Sequence, residues 1–224
     1  MTPTATDKTS TGIQGLPQTG KVEFQGGKAT ANGVEKTVPI DEKVPATFED
    51  GKTTKTVPGQ GTYTVDPDGT VTFTPEKGFT GDATGVTVVR QDTNGTKVSG
   101  TFTATVTKVT PTASPAVSEG VQGDTQSGKP TFTAGDSAIP IQADSVTLID
   151  ASGNPATSVP AKDASGKEIG TYTVDPTTGV VTFTPTDKSY VGQPVPATVQ
   201  AKDANGTAVQ TTFTVNIISV TPTT

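Results

Sequence analysis

Two nearby carboxylates, Asp66 and Asp68, have the spacing that best suits binding of a metal ion. With Gly69 behind them, they match the first positions of a calcium loop built from oxygen ligands. The same residues suit a type I turn, because Asp, Pro67 and Gly stand at its first, second and fourth positions. A similar segment later in the chain has two threonines there, and no Glu follows at the spacing of a bidentate ligand. The turn is therefore the favoured interpretation, and no metal ligand is predicted.

A second candidate is Leu16-Pro17-Gln18-Thr19-Gly20, which spells the motif that sortases cleave when they anchor bacterial proteins to the cell wall. A working signal needs an apolar stretch and a basic tail behind it, whereas here a folded repeat follows. The corresponding segment of the second half is Asp124-Thr125-Gln126-Ser127-Gly128. We therefore favour a loop at the start of a domain, with the sorting site as the alternative.

Two further segments, Asn94-Gly95-Thr96 and Asn205-Gly206-Thr207, fit the acceptor pattern for N-glycosylation. Asn-Gly is also the strongest short signal for a hairpin turn. The turn is favoured in both places, and glycosylation is the alternative.

An intramolecular isopeptide bond would join a Lys to an Asn or an acidic side chain. Lys21 and Lys129 occupy comparable places in the two halves of the chain. The sequence identifies no partner for either lysine, so this bond is left open.

Two residue types on which many catalytic sites depend, His and Cys, are absent. The 224-residue chain has no His and no Cys, which excludes His bases, His-centred triads, thiol nucleophiles and disulfides. Its serines and scattered carboxylates form no recognisable pair or triad. The chain is therefore predicted not to be an enzyme, with no catalytic residue, no cofactor-binding residue and no metal ligand.

Charge and hydrophobicity limit the partners. The net charge is −6 and Arg90 is the only Arg, so the chain lacks the basic surface that binds phosphate backbones. No apolar run approaches the length of a membrane-spanning helix. We expect no nucleic-acid partner and no membrane insertion.

One sequence pattern occurs twice, at a separation that grows from 108 to 111 residues. Such self-similarity indicates two copies of one domain, with small insertions in loops. The matched segments are 12–15 with 120–123, 61–67 with 170–176, 71–75 with 181–185, 79–81 with 190–192, 92–96 with 203–207, and 109–112 with 220–223.

The repeat predicts the domain limits. Residues 1–11 are expected to be a tail, 12–110 the first repeat, 111–119 a Pro/Thr linker and 120–224 the second repeat. Thr-Pro-Thr occurs near both ends of the chain as well as at the boundary. We therefore expect a segment cut from a longer array, with Met1 as an added initiator.

Alternating residues predict β-strands. Tyr63 and Val65 alternate with threonines, as do Val71 and Phe73, which places the apolar residues on one face of a hairpin. Phe102 begins a similar alternation after the Asn-Gly turn. Shorter strands are suggested around the apolar residues of the first half, namely Val22, Phe24, Val38, Ile40 and Phe48.

These short strands predict an all-β fold. About 100 residues with lean alternating faces suit two packed sheets, so we expect two tandem β-sandwich (Ig-like) domains arranged end to end. The predicted core residues are Tyr63, Val65, Val71, Phe73 and Phe102 in the first copy, and Tyr172, Val174, Val181, Phe183 and Phe213 in the second.

The strings at 61–75, 79–81 and 92–96 resemble the repeats of CshA-type fibrillar surface adhesins of streptococci, and the resemblance covers both copies. It implies a secreted, cell-wall-anchored Gram-positive protein whose repeats form a stalk. It also implies that a separate N-terminal region recognises host fibronectin.

The resemblance predicts that these repeats are structural spacers, that their partners are neighbouring repeats of the same chain, and that the segment is a monomer. The alternative is a module that itself binds a host extracellular ligand such as fibronectin. Exposed aromatic or Arg anchors would favour that alternative, but the few aromatic residues here fall on the inward phase of strands.

Overall fold

The alternating Thr and apolar residues form β-strands throughout residues 2–221, the part of the chain that the computed structural model describes. Two separate units hold these strands, residues 1–109 and residues 110–224. Across residues 2–221 the regular secondary structure is strand and no helix occurs. The predicted all-β class is confirmed.

The strands of unit 1 follow one another closely along the chain. They are β1 (Thr4–Thr6), β2 (Lys8–Ile13), β3 (Gln18–Lys21), β4 (Glu23–Gln25), β5 (Gly27–Ala31), β6 (Val34–Val38), β7 (Thr47–Phe48), β8 (Thr54–Val57), β9 (Gly61–Val65), β10 (Thr70–Pro75), β11 (Gly81–Asp82), β12 (Val86–Gln91) and β13 (Lys97–Thr107).

Two sheets build the sandwich of unit 1. One sheet has the strand order β3-β10-β9-β8. In the other, β13 pairs with β12 and β11, β7 lies beyond β12, and β2 pairs with β13 in parallel. The small pairs β1-β4 and β5-β6 complete the unit.

The core of unit 1 lies between its two sheets. Phe73 stands opposite Tyr63 in the β9-β10 hairpin, and both rings are buried. The Tyr63 ring centroid lies 4.5 Å from that of Phe73 and 6.2 Å from that of Phe102, which comes from the facing sheet. This aromatic contact joins the two sheets at the centre of the unit.

Unit 2 repeats this plan with different loops. Its strands are β14 (Thr112–Ser114), β15 (Ala116–Val121), β16 (Gln126–Gly128), β17 (Thr131–Thr133), β18 (Thr147–Ile149), β19 (Pro155–Ala156), β20 (Ser158–Lys162), β21 (Glu168–Val174), β22 (Val181–Pro185), β23 (Ala197–Lys202) and β24 (Ala208–Ile218).

The sheets of unit 2 have the orders β16-β22-β21-β20 and β15-β24-β23-β18-β19, with a small β14-β17 pair. Tyr172 packs between Phe183 and Phe213, at centroid distances of 5.5 Å and 6.2 Å. The ten residues predicted for the two cores are all buried, which confirms the inward phase read from the sequence. Both predicted hairpins form in each unit.

The segments assigned to a tail and a linker contain strands in the structure. Residues 1–11 include β1 and most of β2, and residues 111–119 include β14 and part of β15. Lys8 of β2 pairs with Phe102, and Ala116 of β15 pairs with Phe213. The partners thus lie about 95 residues further along the chain, and no local turn signal indicates the pairing.

The two repeats differ most before their central hairpins. Unit 1 has the β5-β6 hairpin, whose turn residues Asn32 and Gly33 both have positive φ, as a type I′ turn requires. Unit 2 instead has the short β18-β19 hairpin and a longer turn between β20 and β21. The differences are confined to connections and leave the sandwich intact.

Candidate functional site

The first and last long strands of unit 1 form a parallel pair, which we call the terminal pair. Lys8 of β2 stands opposite Phe102 of β13, and Ile13 stands opposite Thr107, with six residue pairs in register. Because the strands are parallel, the chain enters β2 at one end of the pair and leaves β13 at the other. Unit 1 therefore carries the chain from one end of its sandwich to the opposite end.

Unit 2 has the same terminal pair, formed by β15 and β24. Ala116 stands opposite Phe213 and Val121 opposite Ile218, again with six pairs in parallel register. The strands β13 and β24 are each 11 residues long, the longest in their units. At about 3.3 Å per residue, each spans roughly 36 Å.

A glutamine side chain holds the end of each terminal pair. The backbone N–H of Gln14 donates to the Thr107 carbonyl oxygen at 2.8 Å. Its side-chain Oε1 accepts from the N–H of Val109 at 3.1 Å, and its Nε2 donates to the Lys77 carbonyl oxygen at 2.8 Å. In unit 2 the Oε1 of Gln122 accepts from the N–H of Val220 at 3.0 Å. Each glutamine thus fastens the chain where it leaves the sandwich.

A second glutamine links the two sheets beside each terminal pair. In unit 1 the buried Gln18 of β3 donates through Nε2 to the Thr105 carbonyl oxygen at 3.1 Å, and its Oε1 accepts a bond from the Ser10 hydroxyl. In unit 2 the Nε2 of Gln126 donates to the Asn216 carbonyl oxygen at 3.3 Å. The contacts of these glutamines were not predicted from the sequence, although Gln14 and Gln122 recur in the matched segments 12–15 and 120–123.

The sortase-like segment does not form the predicted loop, because its second half is strand β3. Thr19 and Gly20 pair with Thr72 and Val71 of β10. An added Cβ at Gly20 would lie 2.6 Å from the Phe102 ring. This glycine therefore has a packing role, and Gln18 of the same segment belongs to the contacts beside the terminal pair.

Asp66 and Asp68 lie in the hairpin turn between β9 and β10. The Gly69 N–H donates to the Asp66 carbonyl oxygen, and the Thr70 N–H donates to Asp68 Oδ1 at 3.0 Å. This bond, with further help from Lys21 at 3.2 Å, lowers the pKa of the Asp68 carboxyl. Within residues 2–221, no group of three or more acidic side chains is arranged to hold a metal ion.

The Asn-Gly segments form turns organised by the aspartate before them. The N–H groups of Asn94 and Thr96 donate to Asp92 Oδ1 at 2.9 and 2.8 Å, and Gly95 has a positive φ. Asp203 accepts the equivalent bonds in unit 2. The turn prediction is confirmed, but the part played by the buried aspartates was missed, although Asp recurs at this position in both matched segments.

The two lysines considered for an isopeptide bond lie at the surface. Lys21 of β3 forms its ion pair with Asp68, and Lys129 follows β16. The structure does not bring either lysine into the buried cores described above.

Unit 2 also has a groove of about 450 Å³ between its β18-β19 hairpin and the turn after β20. Val159, Tyr172 and Val195 contribute apolar lining, and Asp150 and Asp163 stand on its rim. A backbone N–H bond from Asn154 lowers the pKa of Asp150, and a bond from the Ser165 hydroxyl lowers that of Asp163. Each rim carboxylate accepts backbone N–H groups of its own turn.

Across the described part of the chain, residues 2–221, no helical segment has the length and hydrophobicity needed to span a bilayer.

Comparison with known proteins identifies the family to which the chain belongs. The family model for the surface adhesin CshA repetitive domain matches residues 1–106 and again 108–217. A search of curated proteins gave no match. Among solved structures, repeat domain 13 of the fibrillar adhesin CshA from Streptococcus gordonii is 66% identical over 29% of this chain and 82% of its own, with a TM-score of 0.18.

Two cadherin structures align over almost the whole chain. Drosophila N-cadherin EC1-3 is 16% identical over 98% of this chain, with a TM-score of 0.35, and this chain spans 68% of its length. Mouse cadherin-23 EC22-24 is 13% identical over 98%, with a TM-score of 0.32, and 65% of its length is spanned. The family matches, which together cover nearly every residue, decide the assignment: the chain belongs to the family of the surface adhesin CshA repetitive domain and contains two tandem copies of that repeat.

Proposed function

We propose that the two repeats are structural spacers in a bacterial fibrillar adhesin that is anchored to the cell wall, and that they hold a distal adhesive region away from the cell surface. The observation that carries this proposal is the parallel terminal pair of each unit. A unit whose chain enters and leaves at opposite ends adds its own length to a fibre. A unit with both ends on one side would add little.

The surface chemistry supports spacing over recognition. Exposed large apolar residues among positions 2–221 are mostly single valines, while the rings of Tyr63, Tyr172 and their phenylalanine partners are buried. Binding hot spots are typically aromatic or Arg side chains, and Arg90, the only Arg, is itself buried. A hydrated surface with charges of both signs keeps a spacer soluble.

We further propose that the repeats act without catalysis, cofactor or metal. The absence of His and Cys from the sequence supports this. The partners in this account are neighbouring repeats of the same chain, the segment itself is a monomer, and host fibronectin is recognised by another region of the parent protein.

The groove on unit 2 favours a second candidate, a repeat that itself binds a host ligand such as fibronectin. Val195, which lines the groove, is 53% exposed and would meet an apolar group of that ligand. Among residues 2–109, the described part of unit 1, no strand pair corresponds to the β18-β19 hairpin that forms one wall of the groove. Such binding would therefore belong to unit 2 alone.

Solution binding separates the two candidates. We expect no saturable binding when the chain is titrated with fibronectin, because a spacer has no ligand site. Saturable binding that is lost in Val195→Asp, and retained when the exposed Val34 of unit 1 is changed in the same way, would overturn the spacer function.

A further inference from the structure

We infer that each repeat resists stretching by shear of its terminal pair, and that unit 2 yields at a lower force than unit 1. This inference rests on the proposed spacer function, because a fibre that holds an adhesive region is stretched along its chain. Under this inference the repeats give the fibre its length and also unfold in a defined order when the fibre is stretched.

Force reaches the terminal pair directly. A pull on the chain ahead of β2 and a pull on the chain after β13 draw these parallel strands past each other. All six residue pairs of β2 and β13 are then loaded together, because hydrogen bonds between strands lie across the direction of pull. The chain ahead of β2 includes β1, so its three residue pairs with β4 are loaded as well. The other strands of the sandwich bear little of the force until the terminal pair separates.

The side-chain links across this region differ between the units. In unit 1, Asp7 Oδ1 accepts from the Thr101 N–H at 2.7 Å, which extends the ladder beyond Lys8. Pro115 occupies the equivalent place in unit 2, where no carboxylate is available. Unit 1 therefore has one polar link at the start of its terminal pair that unit 2 cannot form.

The glutamine contacts differ in the same direction. Gln18 of unit 1 bonds both to Ser10 of β2 and to Thr105 of β13, so it bridges the two strands of the terminal pair. Its counterpart Gln126 reaches Asn216 of β24, while its buried Oε1 has no hydrogen-bond partner among the described residues. The terminal pair of unit 2 therefore has fewer cross-links to break.

Single-molecule stretching of the whole chain tests this inference. The chain has no Cys, so Thr2→Cys and Thr221→Cys provide unique attachment points. We expect two unfolding events at unequal forces, each releasing one unit. A single common force for both events would overturn the proposed order.

A proline pair identifies the weaker event. The Gln122 N–H points into the terminal pair, and strand alternation gives Ser118 the same orientation and Val117 the opposite one. Ser118→Pro removes a donor from the pair, and Val117→Pro brings the same ring without that loss. We expect only Ser118→Pro to lower the force of the weaker event. Equal effects of the two variants, or an effect on the stronger event, would contradict the inference.

Two further variants keep the test decisive. If Ser118→Pro prevents unit 2 from folding, Gln122→Ala is used in its place. If Gln122→Ala leaves the force of the weaker event unchanged, the inference is overturned. In unit 1, Asp7→Ala should lower the stronger event towards the weaker one, whereas Thr9→Ala, at an exposed position of β2, should not. An unchanged stronger event in Asp7→Ala contradicts the proposed difference.

Pulling direction supplies the last control. In this control the chain is attached through Thr2→Cys and Asn94→Cys, which lie at the end of unit 1 where β2 and β13 begin. The two strands are then pulled apart from that end, so the residue pairs of the terminal pair separate one after another. We expect a several-fold lower unfolding force than in the first geometry, and equal forces would overturn the shear mechanism. The two proposals can fail separately. If the forces do not depend on pulling direction and fibronectin does not bind, the shear mechanism is rejected and the spacer function stands. If fibronectin binds and the forces are as expected, only the spacer function is rejected.

Discussion

The hydroxyl of Tyr63 donates a 2.8 Å hydrogen bond to the backbone carbonyl oxygen of Thr84. It ties the centre of one sheet to the chain just before β12 of the other. Tyr172 makes the corresponding bond to the Val195 carbonyl oxygen at 3.1 Å. Each unit therefore places one phenol at the boundary between its aromatic core and a connecting segment.

Alkaline pH should destabilise both units because of these phenols. Burial raises the pKa of Tyr63 and of Tyr172 to about 12, compared with about 10 in an unfolded chain. Because the folded state keeps each phenol protonated to a higher pH than the unfolded state does, the contribution of the phenol to the free energy of unfolding is complete below pH 10. That contribution is lost as the pH rises towards 12. We expect the melting temperature to fall across that range, and the fall to be smaller in the Tyr63→Phe, Tyr172→Phe double variant. An identical fall in that variant would contradict the assignment.

Glycines opposite the aromatic core should not tolerate a side chain. An added Cβ would lie 2.6 Å from the Phe102 ring at Gly20, and 2.5 Å from the Phe213 ring at Gly128. We expect Gly20→Ala to lower the stability of unit 1 by about 1 to 3 kcal/mol, the usual cost of overpacking. Gly78→Ala is the matched control, because nothing lies within 4 Å of its added Cβ. Equal chemical-denaturation midpoints for the two variants would contradict this packing.

The fold was predictable where its contacts are local. The β9-β10 hairpin combines strict alternation with a turn that begins at Asp66, and its partners are only a few residues apart. The same holds for β12 and β13, which flank Asn94 and Gly95. Pattern and turn chemistry agree in both hairpins, so their register follows from the sequence.

The terminal pair was not predictable by the same reasoning. β2 is rich in threonine and serine, its partner is distant in sequence, and parallel pairing requires no turn between the strands. Gln14 and Gln18 likewise gain their roles only when distant carbonyl groups come within reach. The repeated Gly-x-Gln-Gly segments were the available signal, but recurrence alone does not specify a partner.

The two cores should respond separately to truncation of a central ring. Phe73→Ala is expected to cost unit 1 about 3 to 5 kcal/mol, since it empties a fully buried position, and Phe183→Ala should cost unit 2 the same. Calorimetry should show the affected unit melting earlier while the other keeps its transition. Thr74→Ala, at the neighbouring outward position of β10, is the control. A Phe73→Ala melting curve that overlays the control would refute the core assignment.

Removal of divalent metal ions should leave stability unchanged. The carboxylate of Asp68 already accepts the Thr70 N–H and pairs with Lys21, so the turn between β9 and β10 holds without a cation. We expect the same melting temperature with a chelator and with added calcium. A clear drop with the chelator that calcium reverses, and that Asp68→Asn abolishes, would reinstate a calcium site.

Small-angle X-ray scattering of the chain in solution tests the central claim, that each repeat adds its length to a fibre, most directly. The spacer proposal expects a radius of gyration of about 22 Å, the value for two units of about 13 Å whose centres are separated by one strand length of about 36 Å, whereas a compact globule of this length gives about 17 Å. We predict the larger value, in a monomeric sample whose maximum dimension well exceeds the length of one sandwich. A radius of gyration near the value for a compact globule would contradict the spacer function.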